Sequence, residues 1–196
     1  MKVALCFYGQ PRYINNPYVW LSHKYWIIDK YNTDVYVHSW ISGSEKEFEF
    51  SDWVQNKQNI TEDINSSNII LNKYKPKKYI FESPKNFSLD EQSKHLLKQK
   101  EKEYCSRING SFLWSDLNEN NCLSHLYSIS KVLNLCDWII LTRFDNYIKN
   151  FPNLYNLDNN GFYLDNQFLY NFSDVLVFGG YQHVITLDCY LEDMQI

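Results

Sequence analysis

The feature that most constrains this chain is the uninterrupted apolar run from Trp138 to Thr142, cut off abruptly by Arg143-Phe144-Asp145. Five such residues are too few for a stable helix and suit a strand buried on both faces. Strands of that kind occur almost only in α/β proteins, where crossover helices cover the sheet on each side. Positions two apart in a strand share a face, so Arg143 and Asp145 are expected to project together. In open α/β sheets, ligands bind beyond the carboxyl ends of the strands, which is where this pair falls. On these residues alone, a ligand site and an ion pair sealing the sheet edge explain the pair equally well.

A second run, Lys2 to Tyr8, predicts a first and central parallel strand. It breaks at Gly9-Gln10-Pro11-Arg12. Gly9 permits positive φ or close backbone approach, and Pro11 stiffens the turn. The fork of donors on Arg12 matches phosphate oxygens, although a lone loop arginine more often pairs with a carboxylate. Further strands are expected at 34–41, 79–82 and 174–178, with a short one at 161–165. Helices are expected at 16–30, after Thr61-Glu62-Asp63, from Ser88 to about Tyr104, and over about 116–135. In the first of these, Tyr18, Leu21, Tyr25 and Ile28 recur at helical spacing and are predicted to face the core. The Cys122, Leu126, Ile129 and Leu133 stripe has the same role in the last, with Ser124, Ser128 and Lys131 on another face. His38 reads as a satisfied histidine at a sheet end, and the alternating segment 45–50 as a solvated strip. The chain is expected to form one domain over residues 1–196: an α/β fold with a mainly parallel sheet and helices on both faces.

Composition narrows the function by exclusion. A formal net charge of −4 argues against nucleic acid as a partner. Aromatic residues reach 17%, but rings serve cores before they serve ligands, so this excess decides nothing by itself. The five cysteines (Cys6, Cys105, Cys122, Cys136 and Cys189) show no C-x-x-C spacing. They read as free thiols in a reducing compartment, which makes the expected location cytoplasmic. The Val3–Tyr8 run is too short to span a membrane, so no integral membrane segment is expected.

Four fragments, in this order, carry a resemblance: the opening K-V-A-L-C-F-Y-G-Q-P-R, D-V-Y-V-H-S-W at 34–40, Ser124-x-x-Tyr127-Ser128-Ile129, and Arg143-Phe144-Asp145. Asp165-Asn166-Gln167 and Phe178-Gly179 extend it. Together they resemble a group of small glycosyltransferase-like proteins found in bacterial surface-polysaccharide clusters and in large phages and viruses. The resemblance implies a Rossmann-like, GT-A-type fold, a nucleotide-sugar donor and a glycan acceptor. It implies that Gly9, Gln10, Arg12 and Arg143 bind the nucleotide or its diphosphate, and that Asp145 stands where the family's D-x-D holds Mn²⁺ or Mg²⁺. The general base of an inverting reaction stays open among Asp165, Asp174 and Asp188, and Asp165 is also the second carboxylate that a metal held by Asp145 could use. The chain departs from that pattern in lacking any D-x-D and in stopping soon after Gly180, where relatives run on. A catalytically silent module that binds a nucleotide or glycan is the competing expectation. A methyltransferase or nucleotidyltransferase is disfavoured, since the first loop has neither G-x-G-x-x-G nor a P-loop pattern.

Overall fold

A computed structural model describes residues 2–43, 47–51, 57–61, 63–108, 119–133, 138–158, 160–164 and 176–180. Its centre is β1 (Val3–Phe7), five residues buried without exception. β1 pairs in parallel with β2 (Asp34–Trp40) on one side and with β6 (Trp138–Thr142) on the other. β5 (Lys78–Glu82) extends the parallel part beyond β2. Beyond β6 lie β8 (Leu176–Gly180), which runs antiparallel to it, and then β7 (Phe162–Leu164). The full order is β5-β2-β1-β6-β8-β7. The reversed β8 is the departure from a uniformly parallel sheet, and of the strand expected at 174–178 residues 174 and 175 lie outside the described residues.

Strand alternation divides the core. Val3, Leu5 and Phe7 point to one face, where they meet Ile27, Tyr31, Ile70 and Tyr74. Ile27 sits in the π-helical turn Lys24–Ile28 that joins α1 (Pro17–His23) to α2 (Asp29–Tyr31), Tyr31 in α2, and Ile70 and Tyr74 in α3 (Ser66–Tyr74), while Trp20 of α1 packs against the same cluster. Ala4, Cys6 and Tyr8 point to the other face, against Ile129 in α5 (Glu119–Ser130) and Val132 in the turn after it. Helices therefore cover both faces, as the apolar strands require. A second, two-stranded sheet is the antiparallel pair β3 (Glu47–Ser51) and β4 (Lys57–Thr61), and β3 falls on the alternating stretch expected to be a solvated strip. Period-two alternation is itself a strand signal, and here Phe48 pairs with Ile60.

Three local expectations fail for identifiable reasons. Tyr18, Leu21 and Tyr25 are 74%, 54% and 70% exposed, and Val19, Ser22, His23 and Ile27 are buried in their stead. Polar Ser22 and His23 occupy the true inner face because the loop after β6 supplies their hydrogen-bond partners. Thr61 ends β4 and does not open a helix; α3 starts at Ser66, leaving Ile64 exposed. Helix α4 (Glu91–Ile108) is capped by Asp90, which accepts from the Ser93 amide at 2.7 Å, two residues past the expected Ser88. Among the described residues no helix is long and apolar enough to cross a membrane.

Candidate functional site

The parallel strands run in the order third, second, first, fourth, so the order reverses between β1 and β6. Their covering helices also change face there, with α1 and α3 on one side and α5 on the other. Such a switch point opens a crevice between two loops at the carboxyl edge. Phe7 is level with Thr142, and the Tyr8 amide still donates to the Thr142 carbonyl at 3.3 Å. The loops beginning at Gly9 and Arg143 therefore leave the sheet side by side.

The first loop turns on Gly9, whose φ of +89° is a region that side-chain-bearing residues rarely adopt. All of its backbone polar atoms are engaged. The Gly9 amide donates to Ser128 Oγ at 2.9 Å, and its carbonyl accepts from Ser39 Oγ at 2.9 Å and the Trp40 amide at 3.2 Å. Gln10 then fixes Arg12 twice: its carbonyl accepts from the Arg12 amide, and its Oε1 from Arg12 Nε, both at 2.9 Å. Tyr13 follows at φ 53°, an uncommon conformation for an aromatic residue. Asn16 closes the loop by capping α1, its Oδ1 accepting from the Tyr18 and Val19 amides.

In the second loop Arg143, Phe144 and Asp145 lie beyond the end of β6, in a turn. Arg143 grips Asp145 in a two-pronged contact, Nε to Oδ1 at 3.0 Å and Nη2 to Oδ2 at 2.5 Å. Both side chains are half-buried. Phe144 points the opposite way, fully buried and stacked on Phe7 with ring centres 4.8 Å apart. Two polar residues of α1 hold the turn from below. His23 Nε2 lies 2.6 Å from the Asn146 carbonyl and Nδ1 lies 3.1 Å from the Tyr74 hydroxyl, while Ser22 Oγ accepts from the Ile148 amide at 3.1 Å. Burial lowers the His23 pKa to about 4, outweighing its bond to Asn146 and the nearby Asp145 charge, so His23 is neutral at pH 7.

A third group at this edge was not assembled from the sequence. His38 Nδ1 sits 2.6 Å from Ser128 Oγ and Nε2 sits 3.0 Å from Glu82 Oε2. His38 is buried, as a satisfied sheet-end histidine should be, and burial holds its pKa below the ordinary value although Glu82 pulls it up. Burial alone would raise the Glu82 carboxyl; hydrogen bonds from His38, Lys85 and Tyr127 prevail and bring it down to about 2. Tyr127 stacks on Trp40 at 5.6 Å. The D-V-Y-V-H-S-W and Ser124–Ile129 fragments thus meet Gly9 at one place. The available signal was Ser128 standing off the apolar stripe of its helix: it is fully buried, beside Ile129, because two polar partners await it.

Of the residues singled out from the sequence, Gly9, Gln10 and Arg12 stand on the first loop, and Arg143 and Asp145 on the second. Asp165, Asp174 and Asp188 lie outside the described residues. As a cation site, Asp145 offers a carboxylate whose two oxygens already accept from a guanidinium. Among the described residues no cluster of three His, Cys, Asp or Glu side chains is placed to hold a metal ion. Hard divalent ions need several oxygen ligands, so the described residues do not by themselves form such a site. What they do form is an edge with two arginine-bearing loops. No family model, no curated protein and no solved structure matches the chain.

Proposed function

We propose that this protein is a glycosyltransferase that draws a sugar from a nucleotide-sugar donor to a glycan acceptor, on a GT-A-type variant of the α/β sheet. The observation that carries this reading is the pair of arginine-bearing loops, Gly9–Arg12 and Arg143–Asp145, flanking the switch point of the sheet. Breaking the bond between a sugar's anomeric carbon and its diphosphate puts negative charge on the leaving oxygens. Guanidinium groups stabilise that charge and orient the phosphates, and Arg12 and Arg143 have this role in our reading. Gln10 orients Arg12, and Asp145 orients Arg143. The attacking acceptor hydroxyl must lose a proton, and Asp165 and Asp174 are the carboxylates assigned to that step. If Mn²⁺ or Mg²⁺ takes part, Asp145 is its ligand, which requires Arg143 to turn from the carboxylate to the phosphate.

The closed Arg143–Asp145 pair favours one second reading, a module that binds the nucleotide or glycan without turnover. Thermal shift against UDP-, GDP-, CMP- and dTDP-sugars, each with and without Mn²⁺, followed by assay of released nucleotide, separates them. A stabilising donor that is consumed supports transfer. Stabilisation without consumption supports the silent module, and no response to any donor removes both.

A further inference from the structure

The chain of hydrogen bonds beneath the first loop has a direction that its two ends dictate. At one end the Gly9 amide can only donate, so Ser128 Oγ accepts from it. At the other end Glu82 is a carboxylate, which can only accept, so His38 Nε2 carries the proton. A neutral imidazole with a proton on Nε2 has a bare Nδ1, and the Ser128 hydroxyl must donate into it. Every proton in the series is thereby assigned, from Glu82 at the half-exposed end of β5 to the backbone of Gly9. The Gly9 carbonyl is held as firmly, by Ser39 and Trp40.

We propose that His38 and Ser128 are positioning residues that lock the Gly9 turn, so that the first loop presents the Arg12 side chain while the Gly9 amide is withheld from any bound anion. This differs from glycine-rich phosphate loops, in which backbone amides cradle the phosphate. Here a phosphate would be read by a guanidinium fork, and arginine rather than glycine would set affinity at this loop. The ligand part of the inference rests on the nucleotide reading given above; the positioning part does not.

Heteronuclear NMR on the full chain tests the positioning directly. Long-range ¹⁵N–¹H correlation should find the His38 proton on Nε2 at pH 7. Ser128→Ala should speed hydrogen exchange of the Gly9 amide by roughly tenfold, the factor corresponding to one lost hydrogen bond, while the Leu5 and Ile140 amides keep wild-type rates. His38→Asn puts an amide oxygen near the Nδ1 position and should keep Gly9 exchange within about threefold of wild type, whereas His38→Leu should not. A residue that merely fills space would show no such rescue. UDP, GDP, CMP and dTDP supply the ligand arm: on binding, the Arg12 Nε–H resonance should shift and the Gly9 amide should keep its exchange rate. If UDP, GDP, CMP and dTDP all fail to bind the unaltered protein, the nucleotide reading fails, and the exchange and tautomer results decide the positioning by themselves. A proton on Nδ1 of His38, Gly9 exchange unchanged in Ser128→Ala, or a Gly9 amide newly protected by the nucleotide would overturn the inference.

Discussion

Acid should unlock the second loop through His23, and the size of the effect follows from its burial. The imidazole is fully enclosed and its pKa falls from 6.5 to about 4. Between those values the unfolded chain binds a proton that the folded chain refuses. The stabilising contribution is therefore complete above pH 6.5 and is lost as pH falls towards 4. From pH 6.5 to 5 the change is 1.5 pH units, which at 1.36 kcal/mol per unit is about 2 kcal/mol. Glu82 does not blur this window: it contributes above its unfolded value of 4.5 and loses that contribution only as pH drops from there towards 2. His23→Gln is the control, since a glutamine amide can donate to the Asn146 carbonyl and accept from Tyr74 yet does not titrate. Urea unfolding followed by tryptophan fluorescence at pH 7, 6 and 5 gives both stability curves. Wild type should lose about 2 kcal/mol more than His23→Gln over this range, with His38, present in both, cancelling. Parallel curves would refute the claim that a neutral, buried His23 supports the turn.

Other outcomes follow from the same geometry. Gly9→Ala meets no atom within 4 Å but must adopt φ +89°, so it should lower stability by about 1–2 kcal/mol in urea unfolding without changing the core. Phe144→Ala removes a ring stacked on Phe7 and should cost about 3–5 kcal/mol, with faster exchange at the Ile148 amide as the turn loosens. If Asp165 or Asp174 is the general base, its replacement by Asn should reduce kcat by roughly 10²–10⁴-fold while donor Kd stays near wild type; loss in Kd alone would remove it from that role.

The strands were legible because burial on both faces leaves an unbroken apolar run, and Val3–Phe7 and Trp138–Thr142 are such runs. The reversal of β8 was not, since an apolar strand carries no mark of its direction. The inner face of α1 was hidden for a different reason. Its buried residues include Ser22 and His23, and nothing local reveals that a loop 120 or more positions away satisfies them. Arg143 and Asp145 do meet, though in a turn past the strand, where their side chains close on each other rather than projecting in parallel. The Gly9–Ser128–His38–Glu82 series joins four elements through single hydrogen bonds, a pattern with no periodicity to detect.

Whether the switch-point loops clamp a diphosphate is tested most directly by calorimetric titration of the best-stabilising nucleotide-sugar into wild type, Arg143→Lys and Asp145→Asn, with and without Mn²⁺. A guanidinium clamp predicts that Arg143→Lys weakens binding by roughly tenfold or more even without metal, because an ammonium lacks the two-pronged fork. Asp145→Asn should remove only the Mn²⁺-dependent part. Unchanged donor affinity in both variants, with melting temperatures lowered by loss of the half-buried pair, would contradict the clamp and leave Arg143 and Asp145 as the seal of the sheet edge.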